Sequence, residues 1–169
     1  MLPSVFMGIG KLLLANKNPP SLIHALRTAL AAVLSYEIAR FCHFPEAYWA
    51  LISTLIAMQS TLGAALPISA QRFAGTAVGA AVGGFLTTWF PGNIWVFGVA
   101  VFLIGVLCAV WRVDRAAYRY AGITLAIVML VARTSSGWLI AMHRFLEVSL
   151  GIAVGLAISA VWPERRSEQ

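Results

Sequence analysis

The residues best suited to chemistry in this chain are three charged side chains beside or within long apolar runs. Arg144 and Glu147 are three positions apart, so on a helix they share one face. Arg72 stands directly before another apolar run. An ionisable group at such depth is costly unless it is paired or hydrated, so these residues are functional candidates. In the alternative interpretation both arginines snorkel to lipid headgroups and Glu147 only pairs with one of them.

Other kinds of chemistry lack a pattern in this sequence. We find no nucleophile–base pairing, no phosphate-binding loop and no metal-ligand spacing, and the two cysteines form no CxxC motif. We therefore predict neither an enzyme nor a cofactor or metal site. Four charged residues around the end of the first apolar run are interpreted as interfacial: Glu37, Arg40, His43 and Glu46.

The composition predicts a membrane protein. Of the 169 residues 60% are hydrophobic and 11% are charged, and the mean hydropathy is +0.85. Soluble domains carry about 25% charged residues, so the natural solvent for this surface is lipid. The net charge of +6 is spread between apolar runs and forms no patch with interleaved aromatics, which argues against nucleic acid as a partner.

Apolar runs bounded by charges, Pro and Gly predict an all-α fold, a bundle of six transmembrane helices. We divide the chain into a cytoplasmic segment 1–20, a transmembrane domain 21–163 and a cytoplasmic tail 164–169. The first segment forms either an interfacial helix or a frayed terminus, and its apolar-then-basic order predicts no cleavable signal peptide. The predicted spans are 21–40, 48–62, 67–89, 93–111, 116–133 and 138–162.

Lys and Arg set the predicted orientation. With both termini in the cytoplasm, nine of these residues lie on the inner side and three on the outer side, which is a positive-inside bias. Five tryptophans at span ends fit an aromatic belt. We therefore expect a multi-pass inner-membrane protein. The inner set is Lys11, Lys17, Arg27, Arg72, Arg112, Arg115, Arg119, Arg165 and Arg166, and the outer set is Arg40, Arg133 and Arg144.

An internal repeat aligns the third predicted span with the sixth. Residues 72–83 match residues 144–155 at six of twelve positions, and the same offset of 72 pairs Tyr48 with Tyr120. Three spans in each half would place the halves upside down relative to each other, as in many secondary transporters. Alternatively, helices rich in Ala, Val and Gly resemble each other by chance.

Small residues recur every four positions on the same two spans. Gly75, Gly79 and Gly83 form one stripe, and Gly151 and Gly155 form the other. Such stripes let helix backbones approach closely, so we interpret them as packing surfaces. A permeation path along the glycine-lined face is the alternative.

The second predicted span is short and carries several hydroxyl and amide side chains. It either stops inside the membrane and lines a hydrated cavity, or its Ser and Thr residues bond the carbonyls of their own helix. The residues concerned are Ser53, Thr54, Gln59, Ser60 and Thr61.

The order and spacing of several motifs resemble those of the fusaric acid resistance and aromatic acid exporter superfamily. The motifs are Tyr48-Trp49-Ala50, then Arg72-x-x-Gly75-Thr76 with Gly79 and Gly83, and finally Arg144-x-x-Glu147-x-x-x-Gly151, closing at Pro163. The resemblance covers residues 22–163.

The resemblance implies export or permeation of small organic anions, chiefly aromatic carboxylic acids. By this likeness Arg72 and Arg144 attract the carboxylate, and Glu147 pairs with an arginine or relays protons. Tyr48, Trp49, Gly75 and Thr76 then shape the path. Plant malate channels are similar at a distance, as dimers around an arginine-lined path.

By this resemblance we expect the chain to correspond to one six-helix unit of the full-length exporters, without their soluble domains. We therefore expect a homo-oligomer, a dimer in the first place, in contact with lipid and with a small organic anion. A proton-driven exporter is the first functional hypothesis, and a passive anion channel is the second. A structural or accessory subunit that packs against a membrane partner protein is the third.

Overall fold

A computed structural model gives the structure of residues 21–59, 61–131 and 136–163. Within these ranges the chain forms six α-helices and no strand, which confirms the all-helical prediction. Residues 1–20, Ser60, Arg133 and the tail 164–169 lie outside the described residues, together with the predictions made for them. The helices are α1 (Leu22–Phe41), α2 (Tyr48–Ala57), α3 (Leu62–Trp89), α4 (Ile94–Val110), α5 (Arg115–Leu130) and α6 (Gly137–Val161).

Capping side chains explain where most of the helices begin. The Ser21 hydroxyl accepts a hydrogen bond from the His24 amide at 3.0 Å and starts α1, where the sequence predicted a cap. Asn93 caps α4 by accepting from two amides of its first turn. Asp114 and Ser136 cap α5 and α6 in the same way. The polar residues between apolar runs therefore satisfy amides that a helix start leaves unpaired.

The predicted boundary between the second and third spans is wrong. Helix α2 ends at Ala57 rather than 62, and α3 begins at Leu62 rather than 67. The Thr61 hydroxyl caps α3 by accepting from the Ala64 amide, so Pro67 lies inside the helix instead of at its first position. With ten residues, α2 is about 15 Å long. That is half of the roughly 30 Å hydrocarbon core.

Two helices, α1 and α6, are long and apolar enough to cross a bilayer by length and composition alone. Helices α2 and α4 are apolar but shorter. Paired residues show that α1 and α2, and likewise α4 and α5, run in opposite directions: Arg27 near the start of α1 bonds the Gln59 carbonyl beyond the end of α2, and Tyr118 at the start of α5 lies beside Gly105 near the end of α4. Helix α3 packs against α5 and α6, α2 packs between α1 and α6, and α4 packs on α5.

The distribution of polarity is the reverse of that in a soluble domain. Trp95 and Phe102 on α4 are 83% and 68% exposed. In contrast, Arg72, Arg144 and Glu147 are at most 5% exposed. An apolar exterior around buried charges suits a lipid environment, because ionisable residues within a membrane face the bundle interior.

Three of the arginines that were counted as flanking charges for the orientation are buried. Arg27, Arg72 and Arg144 lie inside the bundle, so they are not flanking charges. Without these three residues the predicted distribution becomes seven inner against two outer Lys and Arg residues, and the positive-inside bias persists.

Candidate functional site

The first glycine stripe brings α3 against α5. A Cβ atom placed on Gly79 would meet the carbonyl oxygen of Ala121, and one placed on Gly83 would lie 3.0 Å from the Cβ of Val128. Gly75 meets the backbone of α5 one turn earlier. The two backbones therefore approach so closely that the stripe has no room for side chains.

The second glycine stripe brings α6 against α2 in the same manner. A Cβ atom on Gly151 would meet the carbonyl oxygen of Ala50, and one on Gly155 would lie 3.1 Å from the Cβ of Ala57. Ser159 continues the stripe and is fully buried. This contact holds the start of the short helix α2 against the charged turn of α6.

Arg144 lies in the α2–α6 contact and is 2% exposed. Its guanidinium carbon is 3.1 Å from the centroid of the Trp49 ring, so the indole covers one face of the cation. Within the described residues, the Nε and Nη1 atoms of Arg144 are buried without a hydrogen-bond partner. A buried charged donor without a partner is costly, so these two edges are suited to an anionic ligand.

Acidic groups surround the same arginine. Glu147, one turn further along α6, is 1% exposed and places an opposite charge near Arg144. Its Oε1 atom accepts a hydrogen bond from the Glu46 amide at 3.0 Å. Glu46 also acts electrostatically on Arg144. The structure thus brings together the Arg144 and Glu147 that the sequence singled out, and adds Glu46.

The Glu46 carboxylate organises the start of α2. One of its oxygens accepts from the Tyr48 hydroxyl at 2.8 Å, and the other accepts from Trp49 Nε1 at 3.1 Å. Tyr48 is 45% exposed, whereas Glu46 and Trp49 are half-buried. The sequence interpretation of Glu46 as interfacial missed these contacts. The sequence did offer a signal for these contacts, because Glu46 stands only two and three residues before the candidate site residues Tyr48 and Trp49.

Arg72 occupies a matching position in the α3–α5 contact. Its guanidinium carbon is 5.1 Å from the centroid of the Tyr120 ring, and its Nη2 donates to the Ser53 hydroxyl at 3.0 Å. Arg72 is close enough to Arg144 for the two cations to repel each other. Thr76, one turn further along α3, is also buried. Both predicted arginines therefore share one buried region of the bundle.

The hydroxyl groups of α2 bond mainly to helix carbonyls. Ser53 donates to the Trp49 carbonyl at 2.7 Å, and Thr54 bonds the carbonyls of Ala50 at 3.0 Å and Gly151 at 2.9 Å. For Ser53 and Thr54 the structure therefore shows the bonding to carbonyls of their own helix, which was one of the two interpretations. The bond to Gly151 also joins α2 to α6.

Arg27 is a buried cation that the sequence treated only as an orientation signal. It is 1% exposed, and its guanidinium donates to the carbonyls of Gln59 and Trp162, both at 2.6 Å. These carbonyls follow the ends of α2 and α6, where helix dipoles favour a positive charge. Arg27 therefore links the carboxyl-terminal ends of α2 and α6 and takes no part in the Arg144 cluster.

Buried cations between closely packed helices with an apolar exterior define a helical membrane protein with an internal polar site. The comparison with known families agrees. Residues 17–158 match the family described as fusaric acid resistance protein-like, so the chain belongs to this family of membrane transporters.

Several curated relatives come from Escherichia coli strain K12. The chain is 28% identical to inner membrane protein YccS, over 83% of this chain and 20% of YccS. It is 29% identical to the uncharacterized transporter YdhK, over 83% of this chain and 22% of YdhK. It is 28% identical to inner membrane protein YeeA, over 85% of this chain and 42% of YeeA. The chain thus spans less than half the length of these relatives, and no solved structure matches it significantly.

Proposed function

We propose that this chain is an inner-membrane transporter, rather than an enzyme, and that it exports small organic carboxylic acids, aromatic acids in particular. The observation that carries the proposal is Arg144, a buried cation whose Nε and Nη1 atoms have no hydrogen-bond partner among the described residues. A carboxylate oxygen can accept from either N–H group in the plane of the guanidinium, while the indole of Trp49 keeps the face covered. Arg72 adds a second positive charge to the same region.

The proposed topology has six membrane-crossing elements in two inverted halves, with both termini in the cytoplasm. Two observations support it. Helix directions alternate along the chain, and the α3–α5 contact has the same glycine spacing as the α6–α2 contact. Exchanging the halves therefore maps one contact onto the other. The short α2 leaves its last turn at membrane depth, as discontinuous helices do in other transporters.

Charge balance suggests how transport is driven. The buried region holds two arginines, Arg72 and Arg144, and two acids, Glu147 and Glu46, so their formal charges cancel when all four residues are ionised. Adding a substrate anion to a buried neutral cluster is unfavourable unless a proton accompanies it or one of the two acids moves out of the cluster. We propose that Glu147, the more deeply buried of the two acids, is the group that takes up a proton when transport is coupled to the proton gradient. In this scheme Tyr48, Trp49 and Thr76 shape the path.

We further propose a homodimer as the working assembly. The relatives are several times longer than the matched region, so they have room for additional membrane units that a second copy of this chain can supply. The size of the purified protein in detergent, measured by light scattering, tests the dimer. An exclusively monomeric protein that still transports contradicts it.

The transport proposal is tested in proteoliposomes loaded with labelled 4-hydroxybenzoate under an imposed pH gradient. We expect saturable flux that follows the proton gradient and is lost in Arg144→Met. Arg112→Met is the matched control, because it removes the same charge from an exposed turn. Anion currents without proton coupling would instead identify a passive channel. Absence of flux for a panel of carboxylates, with purification only alongside another protein, would identify an accessory subunit.

A further inference from the structure

We infer that Glu46 is a tethered substitute for the transported carboxylate, which must displace the Glu46 side chain in order to bind. The inference rests on the proposed function, since it concerns the same site. It assigns Tyr48 and Trp49 a more specific role than lining a path. Their polar hydrogens become the donors that recognise the carboxylate group of the substrate.

The contacts of Glu46 are those expected of a bound carboxylate. Its two oxygens separately accept from the Tyr48 hydroxyl at 2.8 Å and from Trp49 Nε1 at 3.1 Å, while its negative charge acts on the buried Arg144. Hydrogen bonds to an ionised carboxylate are stronger than neutral ones, so this arrangement has a clear preference for an anion. A free monocarboxylate offers the same two oxygens and the same charge.

The Glu46 side chain is placed so that it can leave without disturbing the fold. Glu46 lies in the turn before α2 and is half-buried, so its carboxylate is within reach of the surface. Its backbone is held separately, because the amide donates to Glu147 at 3.0 Å. Rotation of the side chain therefore frees the two donors while the main chain stays attached to α6.

Displacement by exchange also suits a transporter. When a substrate carboxylate replaces that of Glu46, the hydrogen bonds to Tyr48 and Trp49 are exchanged rather than newly gained. The substrate is consequently bound only weakly in net terms, and return of Glu46 promotes its release. Conduction through a binding site requires this balance between binding and leaving.

The experiment measures benzoate binding to the purified full chain by isothermal titration calorimetry, together with the KM of flux. The variants are Glu46→Gln, which keeps the size and removes the charge, and Glu46→Ala, which removes the side chain. Glu37→Gln is the matched control, because Glu37 is an exposed acid paired with Arg40 at 3.7 Å on the preceding helix. Benzamide is the neutral control ligand.

We expect the Kd for benzoate to fall at least about tenfold in Glu46→Ala and to fall to a lesser extent in Glu46→Gln. The Kd should stay unchanged in Glu37→Gln, and benzamide binding should not improve in any variant. If Glu46 only positions Trp49, the Kd rises in Glu46→Ala and Glu46→Gln restores it, which overturns the inference. An unchanged Kd in both variants also overturns it.

The same measurements separate this inference from the transport proposal. Tighter benzoate binding in Glu46→Ala without flux in any variant supports the displaced carboxylate and contradicts transport. Flux by the parent chain with weaker binding in both Glu46 variants supports transport and contradicts the inference. No benzoate binding by the parent or by either variant at millimolar concentration contradicts both. If Glu46→Ala does not fold, Glu46→Gln alone decides.

Discussion

The α3–α5 and α6–α2 contacts share a packing scheme but differ in chemistry. In each contact, glycines four residues apart face the partner backbone, and a buried arginine one or two turns earlier lies against an aromatic ring. Trp49 and Tyr120, the two rings, are 71 residues apart in the chain. The position after Arg72 that corresponds to Glu147 is Gly75, which carries no charge.

The difference indicates that close packing and the proposed binding site place separate demands on these helices. The glycine spacing is kept in both contacts because it sets the distance between backbones. The acids are present in only one contact, where Glu147 and Glu46 surround Arg144. In our proposal the α6–α2 contact therefore carries the more specialised site, and Arg72 contributes mainly its charge.

The largest expected difference between the two contacts concerns the arginines. Arg144→Met should lower the free energy of unfolding by about 3–5 kcal/mol, because it leaves Glu147 buried without its main opposite charge. Arg72→Met should cost clearly less, since no acid occupies the matching position beside it. Chemical unfolding in detergent measures both. The double variant Arg144→Met/Glu147→Gln should recover part of the loss, and equal losses for the two single variants would remove the distinction.

The glycine stripes should respond alike in the two contacts. Gly79→Ala and Gly151→Ala each place a methyl group against a backbone carbonyl, so each should cost about 1–3 kcal/mol. Gly98→Ala on α4 is the control, because a Cβ there meets nothing within 4 Å. Thermal unfolding of the purified variants measures the effect. A loss confined to one contact would show that the packing is not duplicated.

The aromatic rings sharpen the comparison further. Trp49→Leu should cost about 2 kcal/mol, because the indole lies 3.1 Å from the guanidinium carbon of a buried cation. Tyr120→Leu should cost about 1 kcal/mol, since its ring is 5.1 Å from Arg72. Each ring variant is also unfolded in combination with Met in place of its own arginine, Arg144 for Trp49 and Arg72 for Tyr120. This double-mutant cycle gives the interaction energy of each ring with its arginine. A larger coupling for Tyr120 would reverse our ranking of the two pockets.

The smallest expected effect concerns a hydroxyl group whose matching position in the other contact is apolar. Thr54 donates to the Gly151 carbonyl across the α2–α6 contact, whereas Leu125 lies at the matching place on α5. Thr54→Val should therefore cost about 0.6 kcal/mol, the typical value for such a bond between membrane helices. Ser149→Ala is the control, because this hydroxyl bonds only a carbonyl of its own helix. Equal costs would mean that the interhelix bond contributes nothing.

Much of this architecture could be predicted because membrane helices leave strong local signals. Apolar runs and capping residues such as Ser21 placed most helix ends within one or two residues. The predicted start of α3 at Pro67 was wrong because Thr61, six residues earlier, already caps the helix. The link from Glu46 to Glu147 and the burial of Arg27 were missed because they depend on contacts with residues about 100 or more positions away.

By itself the sequence determined that this protein is helical, that lipid is its solvent and that two of its segments carry closely spaced glycines. These properties depend on composition and on spacing along one helix. Only the tertiary structure decided that Arg72 and Arg144 lie in one buried region, that Trp49 covers Arg144, and that Glu46 supplies a carboxylate there. The physical reason is that the glycine stripes set how deeply α2 and α5 approach their partners. That depth, rather than the order of residues, determines which charges meet.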